Sequence, residues 1–278
     1  MKMVIFGGTT EGRELSARLR RAGAEVTVCV ASGYGEEEQA RVPGVTIRTG
    51  PLTAEEKRVL LQKADLCVDA THPYATHVTQ SVKEACREVG VEYLRLLRGA
   101  ESGPHMEEEN TLFVDCTADA AQWLAGREGN VLLTTGAKEL AEFASLPPTR
   151  LFPRVLPSHE SLKSCEALSI PHRNIIAMQG PFSRELNAAI IRQYRIRFVV
   201  TKDGGAPGGF PEKREAARDT GAQLIVLRRP EESGLSFEEV LTRCITRLGG
   251  GNAAPQGSAA DKREGPGEGS GPGQKEKE

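Results

Sequence analysis

Gly7-Gly8-Thr9-Thr10-Glu11-Gly12-Arg13 follows a short apolar run, Met3-Val4-Ile5-Phe6, and opens a stretch with helical spacing. Small residues at a strand-to-helix turn let the backbone approach a pyrophosphate, and the N–H groups and positive dipole end of the helix favour its charge. The glycines stand at 7, 8 and 12, so the spacing is not G-x-G-x-x-G, and no Gly-Lys-Ser/Thr closes a P-loop. A Gly-rich turn that holds no ligand is the alternative reading. The second apolar run ends in Val30-Ala31-Ser32-Gly33, without the Asp or Glu that commonly holds a ribose 2′-hydroxyl in NAD sites. Ser32 can donate to a 2′-phosphate and Arg13 can pair with it. The pattern therefore favours NADP(H) over NAD(H). Tyr34 either covers the adenine or merely packs.

A second polar cluster, Asp69-Ala70-Thr71-His72-Pro73-Tyr74-Ala75, stands after the apolar run Leu66-Cys67-Val68. At the carboxyl end of a strand it would face the ligand crevice of an open α/β sheet. Pro73 just inside the next helix would make a rigid loop presenting Thr71 and His72. A plain helix start capped by Asp69 or Thr71 is the alternative, and His77 is expected at the surface. In the second half, Thr134-Thr135-Gly136-Ala137-Lys138-Glu139, Arg154-Val155-Leu156-Pro157, Gln179-Gly180-Pro181-Phe182-Ser183 and Thr201-Lys202-Asp203-Gly204-Gly205 each leave an expected strand. Lys138, Arg154 and Lys202 would then line one edge with positive charge, which suits an anionic substrate.

Short β-branched runs alternating with amphipathic stretches are expected to position these loops, the rhythm of parallel strands joined by helices. The fold class read from it is α/β, with two Rossmann-like domains, parallel sheets and an inter-domain cleft. Residues 1–100 form the expected NADP-binding domain and 108–248 a second α/β domain, the break lying in Gly99 to Asn110 with its Gly, Pro and three consecutive Glu. Residues 249–278, with Ala as their largest apolar side chain, are expected to form a disordered tail.

Lys and Arg number 36 against 38 Asp and Glu, a formal net charge of −2, so a dedicated nucleic-acid binder is disfavoured. No apolar run reaches the roughly 18 residues of a membrane helix, and the start lacks a signal-peptide pattern. The expected compartment is the cytoplasm. The six cysteines show no C-x-x-C spacing and are expected to be reduced core residues. The five histidines show no zinc spacing, and no metal is expected.

In order and interval, GGTTEGREL at 7–15, DATHPYA at 69–75, TTGAKEL at 134–140, RVLP at 154–157, QGPFS at 179–183 and TKDGGAPGGFPEKREAA at 201–217 resemble the precorrin-6A reductase family of cobalamin biosynthesis, including its cobalt-precorrin-6A branch. The resemblance covers about residues 1–230. It implies NADPH at the first domain, a tetrapyrrole in the cleft, and hydride transfer that reduces the C18–C19 double bond. It is compatible with transient contact with neighbouring pathway enzymes. On this reading Gly7, Gly8, Thr9, Thr10, Glu11, Gly12, Arg13 and Ser32 hold the cofactor, with Thr71 and His72 near the nicotinamide. Lys138, Arg154, Gln179, Lys202 and Lys213 face substrate carboxylates, and Asp203 or His72 donates or orients a proton, with Tyr74 and solvent as alternatives. One departure stands out: the family usually has Ser where this chain has Gly204. A non-catalytic NADP(H) sensor and a reductase of another polycarboxylate remain the rival readings.

Overall fold

The computed structural model describes residues 1–97 and 110–249. Apart from Asn110, the expected domain break lies outside the described residues, as do residues 250–278 of the expected tail. In the first half, β1 (Lys2–Phe6), α1 (Thr10–Arg21), β2 (Glu25–Val30), α2 (Gly33–Gln39), β3 (Thr46–Thr49), α3 (Ala54–Leu61), β4 (Leu66–Asp69), α4 (Thr76–Val89) and β5 (Glu92–Arg95) alternate. The strands run in the order β3-β2-β1-β4-β5, and every pairing is parallel. Helices cover both faces, which is why β1 and β4 read as near-continuous apolar runs rather than alternating ones.

The second series is β6 (Thr111–Val114), α5 (Thr117–Ala125), β7 (Asn130–Leu133), β8 (Leu151–Val155), α6 (His159–Ala167), β9 (Ile176–Ala177), α7 (Arg184–Gln193), β10 (Ile196–Lys202), α8 (Phe210–Thr220), β11 (Gln223–Leu227) and α9 (Phe237–Gly249). Its sheet order is β6-β11-β10-β7-β8-β9, again all parallel. Phe143, Leu124 and Val200 centre the core on one face, and Phe152, Ile191 and Ala216 the core on the other. The gap after β7 holds a 3₁₀ stretch, Ala137–Phe143, in place of an α-helix. Pro147-Pro148 closes that gap before a longer helix can form.

Three expectations are corrected. Helix α9 does not belong with the second sheet, as the 108–248 division required: Val240, Leu241 and Cys244 sit in the first sheet's core with Leu15 and Leu19 of α1. The chain re-enters the first half at Leu235, whose N–H donates to the Arg95 carbonyl at 2.8 Å and whose carbonyl accepts from Leu97 N–H at 2.8 Å. Helix α4 starts at Thr76, so Pro73 and Tyr74 belong to the loop before it, and Tyr74 leaves the apolar stripe to pack on the second core. Five cysteines are buried, whereas Cys116 is exposed at the start of α5.

Candidate active site

In each sheet the strand order reverses between two central strands, and loops on either side of that reversal leave a crevice at the carboxyl ends. In the first sheet the reversal lies between β1 and β4, so the loops from Gly7 and from Ala70 flank it. In the second it lies between β7 and β10, flanked by the loops from Thr134 and Asp203.

Thr9 is the N-cap of α1: its Oγ1 accepts the Gly12 N–H at 3.1 Å and donates to the Ala70 carbonyl at 2.8 Å. That one hydroxyl ties the β1 loop to the β4 loop. The Thr9 hydroxyl and the Gly12 N–H are thereby engaged within the turn itself. A Cβ at Gly12 would lie 3.0 Å from that of Ala70, so this glycine serves helix-to-strand packing. Gly8 is different. Its φ of +106° favours glycine, and a Cβ there would meet nothing within 4 Å, leaving open space above the turn.

Gly8, Thr9, Thr10 and Arg13 line a polar cleft with Tyr34, Gly35, Glu38, Gln39 and Pro207. Pro207 comes from the second half, so the cleft is shared. Gly7, Glu11, Gly12 and Ser32 are not among its lining residues. Ser32 caps α2, its Oγ accepting the Gly35 N–H at 3.3 Å. Arg13 Nη1 donates to Glu38 Oε2 at 2.6 Å, and Glu38 also holds Arg41 at 2.9 Å. The carboxylate missing from the end of β2 therefore arrives eight residues after Val30, from α2. The sequence reading missed it because α2 has seven residues, two of them glycine, and no apolar stripe.

At the β4 loop, Asp69 is fully buried. Its Oδ1 accepts from the N–H and hydroxyl of Thr71 at 3.0 and 2.7 Å and from Arg95 Nη1 at 2.9 Å, while its Oδ2 accepts from Tyr93 at 3.0 Å. Arg95 also reaches Glu232 at 2.7 Å. Thr71 is thus buried in a hydrogen-bonded network with Asp69 and Arg95. His72 is half-buried, its Nδ1 accepting the Tyr74 N–H at 3.4 Å. Tyr74 accepts from the Asp203 N–H at 2.9 Å and donates to the Leu227 carbonyl at 2.6 Å. Burial pushes its phenol well above the ordinary range, and its proton is committed to the Leu227 carbonyl. His77 is exposed.

The cations of the second half divide. Lys202 Nζ is 2.5 Å from Glu139 Oε1 and 5.1 Å from the Tyr74 ring centroid, so the charge expected to meet substrate is neutralised across the β7–β10 reversal. Lys138 and Gln179 are exposed on their loops. Arg154 is buried at 6% exposure, donates to Asn187 Oδ1 at 2.7 Å and lies 4.0 Å from the Phe182 ring centroid. Burial lowers its guanidinium to about 10, still a cation at neutral pH. Lys213 donates to the Gly208 carbonyl at 2.6 Å. Burial first, and then repulsion from Arg154, bring it down to about 8, with Glu212 pulling the other way. Asn187 was not foreseen; its position in the first turn of α7, after the QGPFS loop, was the available signal. Asp203 is half-buried, with Oδ1 turned to its own loop at the Gly205 N–H, 3.4 Å away. A side chain at Gly204 would meet the Gly208 Cα at 3.4 Å.

Among the described residues no group of three or more His, Cys, Asp or Glu is placed to hold a metal, and no helix is long and apolar enough to cross a membrane. The cobalt-precorrin-6A reductase of Priestia megaterium is 32% identical over 255 residues, 88% of this chain and 98% of that protein. The cobalt-precorrin-6A reductase of Methanothermobacter thermautotrophicus is 35% identical over 238 residues, 83% and 77% of the two chains. A solved structure, that of CobK precorrin-6A reductase, superposes with a TM-score of 0.69 at 23% identity, covering 90% of this chain and 97% of that one. The model of the precorrin-6x reductase family CbiJ/CobK matches residues 2–245, which spans both sheets and every loop described above, and the chain belongs to that family of oxidoreductases.

Proposed function

We propose that this chain is a cytoplasmic NADPH-dependent reductase of precorrin-6A or its cobalt complex, acting on the C18–C19 double bond, with the cofactor at the β1 turn and the macrocycle between the two sheets. The residues at the turn fit a dinucleotide. Gly8 leaves open space above the backbone, the Thr10 N–H at the first position of α1 has no intrahelical acceptor, and Arg13 brings a cation to the rim. When bound, the nicotinamide supplies a hydride, and the conjugated macrocycle is the electron sink. The chain aligns the two and excludes water. His72 and Asp203, on facing loops joined through Tyr74, are the groups that deliver or orient the proton. Glu11 supports the turn from the first helical residues.

The observation that carries the reading is the pair Arg154 and Lys213. Each is buried enough to lower its basicity, and the two repel. Arg154 has an amide and an aromatic ring as its partners rather than a carboxylate. Such charges are costly unless an anion completes them, and a macrocycle carrying acetates and propionates supplies one. Lys138 and Gln179, exposed at the same sheet edge, and Lys202 within its ion pair form the outer rim. A sensor that only bound NADP(H) would have no use for the Arg154–Lys213 pair.

The test is anaerobic NADPH oxidation by the purified chain with precorrin-6A and, separately, its cobalt complex, following the tetrapyrrole spectrum alongside nicotinamide absorbance. Coupled change with either one supports the reading, and the preferred form names the branch. NADPH binding without turnover of either would overturn it. Arg13→Ala should weaken NADPH far more than NADH, and equal loss would remove the 2′-phosphate role of Arg13.

A further inference from the structure

We propose that Glu38 is the residue that sets how strongly the cofactor cleft discriminates a 2′-phosphate from a 2′-hydroxyl; this rests on the dinucleotide reading above. Arg13 and Glu38 both line the cleft beside Gly8 and Tyr34. Their bond is short, 2.6 Å, with side-chain exposures of 30% and 17%. Glu38 is the more enclosed of the two. It is anchored from its other side by Arg41, whose own side chain is 70% exposed.

A guanidinium has five N–H donors in a fixed fork. Glu38 takes one of the Arg13 nitrogens, so Arg13 can still offer donors to a phosphate. That phosphate must then sit close to the Glu38 carboxylate, and like charges juxtaposed in a partly enclosed site are unfavourable. A ribose with free hydroxyls meets the opposite situation, since a carboxylate accepts from both of them. Arg13 therefore favours the phosphorylated ribose and Glu38 the unphosphorylated one, and the preference of the chain is the balance between two side chains already bonded to each other. Glu36 and Glu37, on the same helix, are exposed and do not line the cleft. Bulk negative charge on α2 is thus separable from the carboxylate at the site.

The experiment titrates the full chain with adenosine 2′,5′-bisphosphate and with adenosine 5′-monophosphate by calorimetry, using the wild type, Glu38→Gln, Glu38→Ala and Glu37→Gln. Glu38→Gln keeps an oxygen for Arg13 and removes the charge. It should raise the affinity ratio for the bisphosphate over the monophosphate by about tenfold, and Glu38→Ala should move the ratio in the same direction. Glu37→Gln should leave it unchanged. An unchanged ratio in both Glu38 variants overturns the proposal, as does an equal rise in Glu37→Gln, which would make the effect one of bulk charge. If none of the four proteins binds either nucleotide, the dinucleotide reading itself fails and takes this inference with it.

Discussion

The phenolic oxygen of Tyr74 accepts the backbone N–H of Asp203 at 2.9 Å, so a loop of the first sheet and a loop of the second meet at a single atom. The same oxygen donates to the Leu227 carbonyl at 2.6 Å. Replacing Tyr74 with Phe keeps the ring and strands both backbone groups. A loss of about 1–3 kcal/mol is expected, read as a lower urea midpoint. On the proposed placement of the macrocycle beside the Asp203 loop, KM for the tetrapyrrole should rise while the NADPH Kd holds.

Arg154 offers a test in which stability and function part company. Arg154→Met removes a buried charge whose hydrogen bond goes to an amide oxygen rather than, among the described residues, to a carboxylate, so the thermal midpoint should stay level or increase. Affinity for the tetrapyrrole should fall by about a hundredfold with cofactor binding intact. A large drop in melting temperature with KM unmoved would make the cation structural.

In its proposed role against a substrate carboxylate, Lys213 predicts a pH signature for the reaction. With its ammonium lowered to about 8 by burial and by Arg154, it is charged below that pH and neutral above it. The rate at low tetrapyrrole concentration should therefore decline through about pH 8, in kcat/KM rather than kcat, since a bound carboxylate would hold the proton on. Lys213→Arg should abolish the inflection. Stability runs the other way. Between about 8 and the ordinary 10.5 the unfolded chain keeps a proton that the folded chain has released, so this group adds stability as pH climbs through that window. Denaturation midpoints of the wild type and Lys213→Met at pH 8 and pH 10 would show it.

Arg95 holds Asp69 at 2.9 Å and Glu232 at 2.7 Å with its side chain 4% exposed. Arg95→Ala would leave the fully buried Asp69 without its cation. Breaking such a pair costs about 3–5 kcal/mol, so guanidinium unfolding should begin at markedly lower denaturant. Glu232→Gln, which keeps an acceptor, should cost much less.

What the sequence disclosed follows from periodicity and its limits. Runs such as Val4-Ile5-Phe6 and Val199-Val200 are apolar on both faces, and that pattern alone calls for parallel strands under two helical layers. The loops at their carboxyl ends were legible for the same reason. What escaped was pairing between residues far apart in the chain. Nothing local says that Lys202 is neutralised by Glu139, 63 residues earlier, or that Arg13 meets Glu38. Thr71 looked like a ligand-facing hydroxyl because, although Asp69 stands two residues before it, the Arg95 that completes the network is brought there only by the β4–β5 pairing. Helix α9 was misassigned because an amphipathic stripe shows that a helix packs, not against what.

The return of the chain at Leu235 and the seating of α9 on α1 also set an order of assembly. The first strand and helix leave the ribosome early, yet the apolar side chains that complete their core, Val240, Leu241 and Cys244, are among the last described residues to be made. The second sheet, strands β6 to β11, is synthesised whole in between. Domains generally fold as they emerge, but here the half that begins first finishes last. The face of α1 that α9 covers therefore stays without that partner until the residues of the other half have been made.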